Sequence, residues 1–214
     1  MKIISLGPQD SIGAVLAQTY NLPGKIISKG TFVTNEIVGA FKTGNIKTIL
    51  CAVPEEGDIH EDEAAEAISS AIDKNHIYAD KASTGRVNFK SQSLCLVRYD
   101  RDFIKEVNLV DESIAFSIVE HNQLLAEGDL IATLKIIPFF MQKKYVDRVI
   151  KILAKDELFK IHSLKKKEVI LIQTCFEWQK KSIFTATSNV TKARLEALGC
   201  SLNKEKLINH DYDT

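Results

Sequence analysis

The run Gly57-Asp58-Ile59-His60-Glu61-Asp62-Glu63 places one histidine among four carboxylates within seven residues. Such side chains can ligate a divalent cation or pass a proton between imidazole and carboxylate. They are also what a helix start requires. Asp58 is a suitable N-cap, and Glu61 three residues later completes Asp-x-x-Glu, a relative of the capping box. Asp62 and Glu63 then fall in the first turn, where the helix dipole stabilises a carboxylate by about 0.3 to 1 kcal/mol. His60, Ala64, Ala67 and Ala71 share one helical face, a seam of small residues suited to packing on a sheet. Helix initiation therefore accounts for the acids and leaves His60 open, as a packed histidine or a pocket-edge residue. There is no HExxH or CxxC, and His76, His121, His162 and His210 are scattered, so no tightly bound metal is expected.

Three further groups could carry chemistry. Ser83-Thr84-Gly85-Arg86-Val87-Asn88 combines hydroxyls, a glycine that permits close backbone approach, an amide and a guanidinium. It reads either as an anion cradle using Thr84, Gly85, Arg86 and Asn88 or as an ordinary turn into a strand. Lys135 interrupts the apolar run LIATLKIIPFF, so its ammonium faces solvent by alternation or enters a cleft. Thr174-Cys175-Phe176-Glu177 follows a buried-strand pattern, and Thr187-Ser188-Asn189 precedes an amphipathic run. The ends of strands and starts of helices are where open α/β sheets bind ligands, although Ser188 could equally be a simple cap.

The elements that must position these groups follow from periodicity. Asp10 before SIGAVLAQTY predicts a short helix, with Ile12, Val15, Leu16 and Tyr20 on one face. Thr34 caps NEIVGAFKT, which Gly44 ends, and KTILCAV is a buried strand. The acidic helix ends near Lys74-Asn75. RVNFK and SLCLVRYD are strands on either side of a turn at Ser91-Gln92, DRDFIKEVNLV is a helix, and SIAFSIVE and DLIATLKIIPFF are strands. MQKKYVDRVIKILAK is the clearest amphipathic helix. EVILIQT, SNVTKARLEALG and CSLNKEKLINHD then read as strand, helix and strand, the order that opens a parallel sheet. The fold class is α/β: a mixed α+β N-terminal domain over 1–165, then the start of a parallel α/β domain over 166–214. Two strands and one helix leave apolar surface uncovered, so either the last 45 or so residues dock as an extra layer on the first domain or, the favoured reading, the chain is the front part of a longer protein.

Composition narrows the function classes. The 214 residues hold 28 Lys plus Arg against 28 Asp plus Glu, so net charge alone draws the chain to neither nucleic acid nor an anionic membrane. Charge is local instead. Residues 55–66 carry seven acids and no Lys or Arg, whereas 141–167 carry nine basic residues against three acids. Opposed solvated faces explain this, as does an anionic ligand near the basic segment. With no signal peptide and no apolar run long enough to span a membrane, a cytoplasmic location is expected. Cys51, Cys95, Cys175 and Cys200 are far apart and mostly in apolar runs, which predicts buried free thiols.

Taken together and in order, GDIHEDEAA, TGRVNF, EGDLIATLKIIPF and VILIQT...TSNVTKARLEALG resemble the molybdopterin-binding proteins of molybdenum cofactor biosynthesis. The likeness is to the bacterial type in which such a region precedes a molybdenum cofactor cytidylyltransferase-like domain. The run from Ile12 to Val53 also looks like part of molybdopterin molybdotransferase. The resemblance implies molybdopterin or molybdenum cofactor as ligand, and a molybdopterin-binding α/β domain from about residue 168. It also implies a cytidylyltransferase domain or a molybdoenzyme as partner, with homo-oligomerisation left open. Where relatives end the first strand of that domain in Thr-Gly-Asp-Glu, this chain keeps Thr174 and Glu177 but has Cys175 and Phe176 between them, which argues against metal insertion or adenylyl chemistry there. Asn189 falls where relatives carry an asparagine at the crossover-helix start. The implied site is thus Thr84, Gly85, Arg86, Asn88, Lys135, Thr174, Glu177, Ser188 and Asn189, with His60 at its edge, and the implied role is recognition of an anionic pterin. Two alternatives stand beside it: an accessory region of a nucleotidyltransferase whose catalysis lies outside the chain, and a non-catalytic interaction domain.

Overall fold

The computed structural model describes residues 1–210. These form a mixed α/β structure in which, among the described residues, five helices accompany mostly antiparallel strands. The opening residues make β1 (Lys2–Leu6), β2 (Val15–Leu16), β3 (Tyr20–Leu22), β4 (Lys25–Ile27), α1 (Asn35–Thr43) and β5 (Ile49–Val53). The helix expected from Asp10 does not form. Gly13 turns the chain at φ +86, and Val15 and Leu16 pair with Ala52 and Cys51 of β5, fully buried, while Ile12 is left exposed. Spacing that fits one helical face also fits two strands joined by turns, and pairing with β5 decides between them. The α1 expectation holds: the Thr34 hydroxyl accepts from the Ile37 N–H, Gly44 is the C-cap, and Ile37, Val38 and Phe41 are buried. Tyr20 meets Phe41 edge-on at 5.1 Å and its hydroxyl accepts from the Leu50 N–H, closing a first core.

Next come β6 (Asp58–His60), α2 (Glu61–Ser70), β7 (Ile77–Ala79), β8 (Arg86–Ser91), β9 (Cys95–Arg98) and α3 (Arg101–Asn108). They are followed by β10 (Ile114–Ile118), β11 (Leu124–Leu125), β12 (Leu130–Ile136), β13 (Phe140–Gln142), α4 (Lys143–Leu153) and β14 (Lys160–Ser163). The strands β10, β12, β8 and β7 form one antiparallel sheet, and β11, β9 and β14 another. Ala64, Ala65 and Ile68 of α2 close on Val87, Phe89, Leu134 and Ile136 of the larger sheet, and Val146 and Val149 of α4 complete this main core. Burying each large aliphatic or aromatic side chain there is worth about 1.5 to 3 kcal/mol. Of the expected seam only Ala64 is buried; Ala67 and Ala71 are partly buried, and Ala65, Ile68 and Ser69 complete the buried side. The start of α2 differs from expectation. Asp58 lies in β6, paired with Gln142 of β13, and the N-cap is His60, whose Nδ1 accepts from the Asp62 N–H at 3.2 Å. The helix also ends at Ser70, before Lys74-Asn75.

The last described elements are β15 (Glu168–Cys175), α5 (Lys181–Ala197) and β16 (Ser201–Asn209). The two strands pair in parallel, from Glu168 opposite Ser201 to Cys175 opposite Asn209. The helix begins at Lys181, so Ser188 and Asn189 lie inside it and not at its start. Thr185 and Thr187, which by propensity favour a loop, are accommodated because their hydroxyls donate back to the Lys181 and Ile183 carbonyls. All four cysteines are free, Cys51 and Cys95 fully buried and Cys175 and Cys200 partly so. Among the described residues no helix is long and apolar enough to cross a membrane.

Candidate functional site

A tight turn and one strand end converge beside the start of α2. Ser83 and Arg86 exchange both backbone hydrogen bonds at 3.1 Å across Thr84 and Gly85, which have φ +50 and φ +67. This is the two-residue hairpin that requires left-handed backbone at both central positions. Glycine meets the demand freely, whereas a β-branched threonine is strained there by about 1 to 3 kcal/mol. The strain is held by its surroundings. The Gly85 N–H donates to Asp62 Oδ1 at 2.6 Å, the Ile136 N–H donates to the Gly85 carbonyl at 2.7 Å, and the Thr84 carbonyl accepts from Lys135 Nζ.

Lys135 is thereby drawn inward. Its ammonium also meets Glu61 Oε2 at 3.1 Å, with 31% of the lysine side chain exposed and 7% of the glutamate's. Glu61, the first residue of α2, gives its N–H to the Phe139 carbonyl at 2.8 Å. A carboxylate so buried requires its partner. The pair forms one wall of a cleft of about 500 Å³. Met1, Lys29, Gly30 and Thr84 also line it, and its apolar wall is Ile3, Ile137, Pro138 and Phe139. Lys29 reaches in from the loop after β4, its Nζ 5.4 Å from the centre of the Phe139 ring, a cation–π placement. The volume and the few polar groups on an apolar wall are those of a small-molecule site. Lys29, Lys135 and Glu61 bring two ammoniums and one carboxylate to the cleft, with Lys135 and Glu61 paired to each other.

His60 stands behind this wall. Its ring packs 4.8 Å from Phe32 and 5.5 Å from Phe140, and its buried Nε2 has no hydrogen-bond partner among the described residues. Nδ1 accepts from the Asp62 N–H, which fixes the ring's orientation as the cap of α2. The residue caps α2 and packs against Phe32 and Phe140. Asp58 belongs to a different network. It meets the Met1 ammonium at 2.7 Å, accepts from the Glu55 N–H at 2.8 Å and accepts from the Gln142 amide at 2.6 Å. Burial alone would push its carboxyl up, but those three donors outweigh it and hold the carboxyl below the ordinary carboxylate range. The hydrogen bond it donates to Asp58 in turn holds the Met1 amine above its ordinary range, against the opposing effect of burial.

The residues expected from sequence fall into two groups. Thr84, Gly85 and Lys135 come together at the cleft, with His60 behind them. Arg86 sits opposite Lys135 in the β8–β12 register but is exposed and is not among the cleft-lining residues. Asn88 accepts from Thr133 Oγ1 and donates to Asp80, a sheet-surface role. Thr174, Glu177, Ser188 and Asn189 lie on β15, the following loop and α5. Thr174 Oγ1 is 3.0 Å from His210 Nδ1, Glu177 is exposed, and Ser188 bonds Gln173 of β15 and Glu205 of β16, tying helix to sheet. Asn189 is exposed in the helix interior. The loss of a helix-start position removes the backbone donors through which Ser188 and Asn189 would have acted on an anion.

Glu61 and Lys29 were missed by sequence reasoning. Glu61 was accounted for as a capping residue, and nothing local marks Lys29. Burial holds the Cys51 and Cys95 thiols above their ordinary range, which keeps them protonated and poor nucleophiles. Among the described residues no group of three or more His, Cys, Asp or Glu side chains is placed to hold a metal ion. No family model, curated protein or solved structure matches the chain.

Proposed function

We propose that this chain binds molybdopterin, or a later form of the molybdenum cofactor, in the cleft between Lys29 and Lys135 and positions it without transforming it. One observation carries the reading: two ammoniums share a cleft of about 500 Å³ whose opposite wall is apolar. Lys29 and Lys135 take the terminal phosphate, Phe139 and Ile137 cover the ring system, and Glu61 fixes Lys135 in place. The motif resemblance over GDIHEDEAA and TGRVNF supports the choice of a pterin among flat anions. In this reading residues 168–209 supply a parallel unit of the molybdopterin-binding type, and residues 1–214 themselves carry out no nucleotidyl transfer. A non-catalytic interaction role is favoured by a separate feature, the uncovered face of β15 and β16.

The test is a fluorescence titration of purified molybdopterin against the intact chain, Lys29→Ala and Arg86→Ala. Lys29 is exposed and makes no ion pair among the described residues, so its removal leaves the fold intact. Losing one charge-assisted contact, about 1.5 to 3 kcal/mol, weakens binding at least tenfold, whereas Arg86→Ala leaves it unchanged. No binding by the intact chain would remove the reading.

A further inference from the structure

Among the described residues, the strand pair β15–β16 is covered on one face only. Gln173 donates to the Phe184 carbonyl and to Ser188 Oγ of α5, and Ser188 bonds Glu205 of β16, which fixes the face the helix covers. The partly buried positions of the helix, Phe184, Ser188, Thr191 and Leu195, recur at the spacing of one stripe, the side turned to the sheet. On β15 burial alternates strictly, so Val169, Leu171, Gln173 and Cys175 face the helix and Ile170, Ile172 and Thr174 face away. The register places Lys204, Lys206 and Ile208 beside these three on the same outward face. Ile170 is 54% exposed, Ile172 59% and Ile208 36%.

A parallel strand pair with an apolar outer face is a half-built layer, because parallel sheets are covered on both sides, most often by helices. From Ile170 to Thr174 the outward row runs about 13 Å, the length of two to three helical turns. The rise between Ile170 and Ile172, about 6.6 Å, is close to the spacing of side chains four apart on a helix. The charge of the face decides what kind of helix. Lys204 and Lys206 flank the isoleucines, and residues 165–210 hold nine Lys or Arg against four acids. A second copy placed face to face would set these lysines against each other, a like-charge juxtaposition that complexes avoid.

We infer that the outward face of β15 and β16 docks an amphipathic helix of a partner whose apolar stripe seats on Ile170, Ile172 and Ile208 and whose flanks are acidic. The isoleucines supply the buried area and the lysines select the partner and steer its approach. This surface is separate from the cleft at Lys135.

The experiment is fluorescence anisotropy of two labelled synthetic helical peptides against the full chain. Both carry leucines at i, i+3, i+4 and i+7, one with glutamate and the other with lysine at the flanking positions. The acidic peptide is expected to bind at least tenfold more tightly than the basic one, and the preference narrows with added salt. Ile172→Glu abolishes binding of the acidic peptide, and the Lys204→Glu, Lys206→Glu double variant reverses the preference. All three positions are exposed, and circular dichroism checks that each variant is folded. Absence of acidic-peptide binding, equal binding of the two peptides, or unchanged binding by Ile172→Glu would overturn the inference. So would a dimer of the chain alone, seen by sedimentation and dissolved by Ile172→Glu, since that would assign the face to a second copy.

Discussion

Replacing Gly85 with alanine tests how the hairpin turn builds the cleft. The residue has φ +67, a conformation that costs an alanine about 1 to 2 kcal/mol. A Cβ there would lie 2.5 Å from Glu61 Oε2, 2.6 Å from the Ile136 carbonyl oxygen and 3.0 Å from Lys135 Nζ. The Ile136 oxygen is backbone at the end of β12, an inner strand of the four-stranded sheet, and cannot rotate away, so overpacking adds about 1 to 3 kcal/mol. The reduced freedom of the unfolded chain returns about 0.4 to 1 kcal/mol. The expected net loss is about 1 to 4.6 kcal/mol. Gly128 is the internal control, since it sits at φ +84 with nothing within 4 Å of its would-be Cβ and so bears the backbone cost alone. Urea unfolding of both variants, with unchanged slope, measures the difference. Gly85→Ala should be the less stable by at least about 1 kcal/mol. Equal stability of the two variants would refute the close packing of the turn on the Glu61–Lys135 pair.

Removing the ammonium with Lys135→Ala leaves Glu61 buried without its partner. Because the lysine is partly exposed and screened, the cost is about 1 to 3 kcal/mol, and adding Glu61→Gln recovers part of it in a double-mutant cycle. His60→Ala loses the cap and the contacts with Phe32 and Phe140, about 1 to 3 kcal/mol in denaturant melts, while His60→Asn restores the cap acceptor and about 1 kcal/mol of that loss. Thermal melts across pH should show two limits set by the Met1–Asp58 contact. The Asp58 carboxyl is depressed on folding, so its contribution is present above its ordinary value near 3.8 and is lost as pH falls through the lower folded value. The Met1 amine is raised, so its contribution is full below about 8.0 and fades as pH climbs through the folded value; acetylating that amine should abolish this alkaline limit.

Much of the local structure was legible because its causes are local. Thr34 and Gly44 bound α1 as their chemistry requires, and Val146, Val149 and Leu153 mark the buried side of α4. The strand-helix-strand order after residue 168 follows from the apolar run EVILIQT and the glycine closing the next helix. Two errors came from signals that serve more than one structure. SIGAVLAQTY carries apolar residues at helical spacing, yet Gly13 and the pairing of Val15 and Leu16 with β5 make it turn and strand. In the acidic run the capping pattern was set two residues early, because an aspartate is the better cap in isolation while here Asp58 is taken by the Met1 amine and Gln142. The site itself was half legible. A lysine inside an apolar strand and a Thr-Gly pair before an arginine both pointed to it. Glu61 is 74 residues from Lys135, and no local pattern announces that a first-turn acid turns inward to meet it.

The central claim is that a pterin anion binds between Lys29 and Lys135 and not at the ends of β15 and α5. Amide chemical-shift mapping of the labelled chain during titration with purified molybdopterin tests this most directly. Shifts should concentrate at Gly30, Thr84, Gly85 and Phe139, with Thr174, Ser188 and Asn189 unmoved. Shifts confined to Thr174, Glu177 and the start of α5, or no shifts at saturating ligand, would contradict it.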